Sequence, residues 1–344
     1  LKIFFLNKFF PNRMQSYSAP TAKAGIRETL LSRLPRYTLK TPFWIRLRHG
    51  EFWPFEVVYF PIFIYYFWLS IKARSFFFFS ASNPSIETGG MLGESKINIL
   101  DRIAEEFKPK TVFVPPSTSL DGTLSLLEVR GISFPFIAKP DVGERGRGVE
   151  KIESHETLQA HIQKNPVDFL IQEYVDESLE LGVFYYRYPA QPKGVVSSIV
   201  KKEFLTLRGN GVDCIENLIM QNERAILQLP TLTVKYGHLF HQIPGAGETI
   251  ELVNIGNHCL GTKFLDANHL ITNELTQLFD SISQSIPGFY FGRYDLRCRS
   301  VEDLYEGRNI RIMELNGAGA EPGHIYQPGF SLWKPTGFYS ITGG

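Results

Sequence analysis

From Phe52 to Ile71 apolar and aromatic positions follow one another almost without a break, FWPFEVVYFPIFIYYFWLSI, and Lys72 and Arg74 come directly after. Pro54, Glu56 and Pro61 leave about fifteen residues free of charge, short of the roughly 20 that a bilayer-crossing helix needs. The Tyr, Trp and Phe content predicts a helix over 52–71 that is buried or dimer-forming, or that lies on a membrane surface, ahead of one that spans it. Residues 1 to 50 mix basic and aromatic residues with prolines in no period that defines an element.

Beyond Arg74 the pattern shortens. SFFFFSAS at 75–82 reads as a short buried strand, and NPSIETGGMLGES as a glycine-containing loop leading into a helix from about Glu94 to Phe107. TVFVP is a strand, residues 119–130 a helix, and 134–139 a strand. A helix over 154–164 precedes the strand DFLIQEYV, and LGVFYYRYP and GVVSSIVKKEF form an antiparallel pair. A helix near 213–228, loop-rich sequence to about 262, an amphipathic helix over 269–286 and the strands YFGRYDLRC and NIRIMELNG complete the pattern. The mixture predicts an α+β chain with antiparallel strands rather than a regular βαβ alternation. Repeats are absent.

A chain of 344 residues is long enough for two or three subdomains. Its 36 basic and 35 acidic residues nearly cancel, so no nucleic-acid or other polyanion partner is expected from the overall balance, and any anion site must be local. Cys214, Cys259 and Cys298 lack CxxC spacing, which fits a reducing, cytoplasmic setting and offers neither a disulfide frame nor a zinc site. The chain opens on Leu and closes on GFYSITGG, so a trimmed piece of a longer protein is expected, with targeting signals outside view.

Three clusters carry candidate chemistry. In FIAKPDVGERGRGVEKI, backbone N–H groups around Gly143, Gly146 and Gly148 can wrap an anion while Lys139, Arg145 and Arg147 supply charge, although such loops also occur without ligands. The spacing is neither the dinucleotide fingerprint nor the Walker pattern. Asp295 in GRYDLR, and Glu314 and Asn316 two apart in MELNGAGAEP, place oxygens on two strands as a hard-cation site suited to magnesium; the alternative is ordinary strand-end polarity. FLIQEYVDESLELG can offer backbone groups to a purine edge and Glu180 to ribose hydroxyls, or can simply be a solvated strand end. His238 and His241 are three apart with no third ligand at metal spacing, and read as structural or substrate-side.

In this order, FPFIAKP with its glycine loop, LIQEYV, GRYDLR and IMELNGAGAEP resemble the nucleotide-binding modules of the ATP-grasp superfamily over roughly residues 90 to 330. The layout is most similar to D-alanine:D-alanine ligase and to the ligase half of cyanophycin synthetase, and LRGNGVDCIENLI and NIGNHCLGTKFLD are similar to segments of the cyanophycin-type members. The resemblance implies an ATP-grasp fold, with the nucleotide held between two α+β subdomains. It divides the chain into a basic, aromatic-rich helical N-terminal region (1–74), a reduced region ahead of the grasp (75–115), a small subdomain with lid and hinge (116–200) and a large subdomain with the metal site (201–344).

The roles it implies are equally definite. Lys139 contacts the α and β phosphates, with Lys96 as the second nucleotide-facing lysine and Lys201 or Lys202 as a further phosphate contact. Glu173, Tyr174 and Val175 form the adenine hinge and Glu180 holds the ribose. Asp295, Glu314 and Asn316 hold two magnesium ions, for which manganese can substitute, and Arg293 stabilises an acyl phosphate. The implied activity is ATP-dependent ligation of a small or peptide-like carboxylate to an amine, or to a thiol, in the cytoplasm, with a homodimer and membrane-surface contact through 52–71 as expected associations. Two other readings share the ATP site: a non-catalytic regulatory module that docks on a membrane or partner, and a phosphotransferase. Only the strand expected at 75–82 stands where the family has a full substrate domain, so SNPSIETGGMLGES is the candidate for binding a substrate carboxylate.

Overall fold

The computed structural model describes residues 41–48, 52–53, 55–143, 146–253, 256 and 261–328. The chain divides into two compact units, Leu1–Leu69 with Leu207–Ile250, and Ser70–Thr206 with Glu251–Gly344. The architecture is α+β, and every strand pair of the two larger sheets is antiparallel.

The first unit holds α1 (Thr41–Arg48) and most of α2 (Phe55–Ala73). It also holds α6 (Ile215–Gln221), α7 (Glu223–Leu227) and α8 (Leu229–Tyr236). One helix is expected over 213–228, but Asn222 breaks it: the Asn222 side chain accepts from the backbone N–H of Arg224 and Ala225 and so starts a new helix.

The second unit contains both larger sheets. The smaller runs in the order β1-β4-β2-β3, from β1 (Thr111–Val114), β2 (Phe136–Pro140), β3 (Glu150–Ile152) and β4 (Phe169–Glu173). Helices α4 (Leu120–Arg130) and α5 (His155–Lys164) each begin at a serine whose hydroxyl accepts a backbone N–H. Val114, Leu127, Phe136, Ile152, Leu158 and Ile171 form the core of this half.

The larger sheet runs β11-β10-β5-β6-β9, from β5 (Leu179–Tyr186), β6 (Val195–Glu203), β9 (Lys263–Asp266), β10 (Phe291–Cys298) and β11 (Ile310–Asn316), while β7 (Thr206–Arg208) and β8 (Thr249–Glu251) form a separate two-stranded pair. Helix α9 (Asn273–Gln284) delivers Leu275, Phe279 and Ile282 to a core shared with Leu181, Val183, Tyr185, Tyr294, Leu296 and Ile312. Period-two alternation does the sorting: Tyr294, Leu296 and Cys298 enter this core, which leaves Arg293, Asp295 and Arg297 on the opposite face.

Two expected elements are corrected. Residues 75–82 form no strand; Phe78–Ser82 is a 3₁₀ turn, and Phe76 and Phe77 are exposed. The serines decide this, because Ser80 Oγ donates to the Phe77 carbonyl (2.7 Å) and Ser82 Oγ to the Phe79 carbonyl (2.6 Å), local bonds that compete with a ladder. The helix expected over 94–107 stops early, as α3 (Lys96–Leu100), where buried Lys108 Nζ takes the Leu100 carbonyl at 3.0 Å.

Candidate functional site

Pairing of β10 with its neighbours assembles a buried web of charge. Asp295 lies opposite Gly182 on β5 and Glu314 on β11; Arg293 lies opposite Asn316, and Arg297 opposite Glu180. Gly182 leaves the room this needs, since a Cβ there would stand 3.3 Å from both the Arg293 Cδ and an Asp295 carboxylate oxygen, and 2.9 Å from Val200. Arg293 grips Asp295 with two N–H groups (Nε to Oδ1, 3.2 Å; Nη2 to Oδ2, 3.0 Å), and Asn316 Nδ2 donates to Oδ2 at 3.0 Å. Lys202 Nζ bridges Asp295 Oδ1 and Glu180 Oε1, at 3.1 Å from each. Arg297 closes the chain, with Nε on Glu180 Oε2 (2.9 Å) and Nη1 on the Val175 carbonyl (2.7 Å).

Burial by itself would raise the pKa of Asp295, but Arg293 and Lys202 overcome it and hold the carboxyl at about 2. For Lys202 burial works downward, yet Asp295 and Glu180 bring the net shift upward, so the ammonium stays charged. Of the two neighbouring lysines, Lys202 is buried in this web while Lys201 is exposed.

A β-bulge links this web to the smaller sheet. The register jumps between Asp295, paired with Glu314, and Leu296, paired with Ile312, so Met313 has no partner on β10. Its carbonyl instead accepts Lys139 Nζ from β2 at 3.0 Å and Gln172 Nε2 from β4 at 3.4 Å, and Lys139 also donates to Gln172 Oε1 at 3.0 Å. Burial pushes the Lys139 pKa down to about 8, against the pull of Glu314 and Asp295 and with a smaller push from Lys96.

Lys96 fastens the root of the glycine-rich loop, donating to the carbonyls of Asp141 (3.2 Å) and Gly143 (2.6 Å), while Asp141 Oδ1 accepts the Ile97 N–H. Gly148 folds against Pro140, where a Cβ would meet the ring at 2.8 Å. Arg147 is exposed, Gly146 has a left-handed φ of 69°, and Arg145 lies outside the described residues. The hinge residues are engaged otherwise: Glu173 exchanges bonds with the Lys110 backbone, the Tyr174 ring lies under Lys151 Nζ at 4.6 Å, and Val175 receives Arg297.

The structure thus gathers Lys139, Lys202, Glu180, Arg293, Asp295, Glu314 and Asn316, with Lys96 at the loop root. Of the hinge, Val175 joins this web through Arg297, whereas Glu173 and Tyr174 are engaged with Lys110 and Lys151, and Arg147 is exposed. Gln172, Arg297 and the Met313 carbonyl were not singled out from sequence. Arg297 was accessible there, since it continues the alternation of Arg293 and Asp295; a carbonyl exposed by a bulge has no sequence signal.

The loop ahead of α3 is docked at the end of β11. Ala318 and Gly319 donate to the carbonyls of Gly89 (2.8 Å) and Gly90 (2.9 Å), and buried Asn83 ties Gly89 to Tyr290 and Phe291. Beyond it, Arg293 Nη1 donates to the Glu321 carbonyl at 2.9 Å, Tyr326 is hydrogen-bonded to the Glu321 carboxylate, and Ser198 Oγ lies 2.7 Å from His324 Nδ1.

No protein-family model matches the chain, and no curated protein matches it in sequence. Solved structures do resemble it. A bifunctional glutathione synthetase from Pasteurella multocida is 12% identical over 66% of this chain and 34% of its own, with a TM-score of 0.36. VanG, a D-Ala:D-Ser ligase from Enterococcus faecalis, is 12% identical over 65% of this chain and 52% of its own, also at 0.36. D-alanine–D-alanine ligase from Bacillus anthracis, complexed with ATP, is 11% identical over 64% and 53%, again at 0.36. These are ATP-grasp ligases. The chain spans a third to about half of their length, and a likeness of this degree carries no argument about reaction or substrate.

Among the described residues no three His, Cys, Asp or Glu side chains form a metal cluster. Asp295 and Glu314 stand on directly paired positions and Asn316 is paired with Arg293, so two carboxylates and an amide offer oxygens of the kind that hard cations take, with both Asp295 oxygens held by Arg293, Lys202 and Asn316 in this structure. That donor chemistry fits magnesium.

Proposed function

We propose that this chain is an ATP-dependent carboxylate–amine ligase of the ATP-grasp type. The observation that carries the reading is the crossing of Lys139 from one sheet to the bulge carbonyl of the other, beside the paired Asp295 and Glu314. Four cations, Lys139, Lys202, Arg293 and Arg297, face three acids, Glu180, Asp295 and Glu314, an excess that favours a polyanion.

Lys139 and Lys202 would bind the phosphates, with the loop rooted on Lys96 closing over them through Gly143, Gly146, Arg147 and Gly148, and with Arg145 in the same loop. Glu173, Tyr174 and Val175 would border the base and Glu180 the ribose. Asp295, Glu314 and Asn316 would hold magnesium, which when bound neutralises phosphate charge during transfer. Arg293, held by Asp295 and the Glu321 carbonyl, is positioned to stabilise the oxygens of an acyl phosphate formed when a carboxylate attacks the γ-phosphorus and ADP leaves. Attack by an amine on the acyl carbon would then expel phosphate and leave the amide. No side-chain nucleophile is required.

Calorimetry with ATP, with and without magnesium, tests this reading on the parent chain and on a Glu314→Ala, Asn316→Ala double variant. Magnesium-dependent binding lost in the variant is expected. Absence of binding to the parent chain overturns the reading.

A further inference from the structure

We propose that α2 is a docking surface for a lipid membrane that bears anionic headgroups, an association independent of the ligase reading. Six large apolar or aromatic residues of this helix are exposed, Tyr65 at the edge and five, Phe60, Ile64, Phe67, Trp68 and Ile71, on one side, with 64% of Phe60 and 77% of Ile71 accessible. The spacing of these five is i, i+4, i+7, i+8 and i+11, which at 3.6 residues per turn collects them into one stripe about 100° wide. Ser70 is buried and Tyr59, Phe63 and Tyr66 are half-buried; these lie off the stripe. A helix of a globular protein normally turns its apolar stripe inward, and here it faces out.

Charge identifies the occupant. The first 74 residues carry twelve Lys and Arg against three Glu, whereas the whole chain carries 36 basic against 35 acidic residues, so the remainder is net acidic by eight. Lys72 and Arg74, both exposed, follow the stripe at the end of α2. Basic charge beside an apolar helical stripe matches a surface that is anionic outside and apolar beneath. Tyr65 stacks on Trp68 with ring centroids 5.6 Å apart, and amphipathic rings of this kind favour the headgroup level. Among the described residues no helix is long and apolar enough to cross a membrane, which leaves α2 lying in the interface rather than spanning it.

The test is flotation of the full chain with vesicles of phosphatidylcholine alone and with about a third phosphatidylserine. Partition onto the anionic vesicles is expected, weaker onto neutral ones and weakened by about half-molar salt. Phe60→Ser with Trp68→Ser should reduce it by about tenfold per residue. Lys72→Glu with Arg74→Glu, which leaves the stripe intact, should reduce it about fivefold or more per charge on anionic vesicles only. Circular dichroism verifies that each variant folds, and the charge pair and the salt series remain decisive where the serine pair does not. No partition onto anionic vesicles overturns the proposal, as does undiminished partition of both variants. Light scattering that shows a dimer which the serine pair splits, without vesicle binding, also overturns it and assigns the stripe to a second copy of the chain.

Discussion

Lys139 is a cation kept in a place that disfavours cations. Its pKa lies near 8 because burial outweighs the attraction of Glu314, whereas in the unfolded chain it titrates at the ordinary lysine value of 10.5. Between those values the unfolded chain binds more protons than the folded one, so folding gains stability as pH rises through that window; at neutral pH the full penalty is present. A Lys139→Met variant should therefore gain stability relative to the parent near pH 7, and this relative gain should shrink by up to about 3 kcal/mol by about pH 10.5. Denaturant titrations of both proteins across that range measure it, and a difference independent of pH contradicts the placement of Lys139. Asp295 behaves oppositely: with its pKa held at about 2, below the ordinary 3.8, it contributes stability above the ordinary value that fades as acid approaches pH 2.

At the scale of elements, a tight constraint is the backbone contact between the loop before α3 and the end of β11. Gly90 has φ +76°, and a Cβ on it would lie 2.7 Å from the Gly317 Cα. Gly90→Ala should destabilise the protein by about 2 kcal/mol or more, from left-handed strain and the forced separation of backbones, and should lower nucleotide affinity by shifting Asn316. An unchanged denaturation midpoint would refute that. This contact was not legible in the sequence, where the loop appears only as glycines between polar residues. The strands were: β10 and β11 announce themselves by alternation, and so do the faces on which Arg293, Asp295, Glu314 and Asn316 stand. Alternation failed at SFFFFSAS, since four consecutive phenylalanines have no period and the flanking serines bond to their own turn. It failed again at 94–107, because the residue that ends α3 is Lys108, eight positions on from the carbonyl it takes. Local pattern records which face a residue uses; a distant side chain that ends an element leaves no local trace.

For the molecule as a whole, the proposed activities should separate. Lys139→Met should lose nucleotide binding, by about tenfold or more, while keeping vesicle partition, and the α2 serine pair should show the reverse. Calorimetry and flotation on both variants measure this, and loss of both properties in either folded variant would contradict independence. The bond from Lys139 to the Met313 carbonyl bears on the second unit in mechanical terms too. It is a rope thrown from one sheet to the other, made fast to a carbonyl that is available only because the strand buckles there. A polyanion that draws the ammonium toward itself would slip that mooring, so the arrival of the fuel would be felt first as slack between the layers.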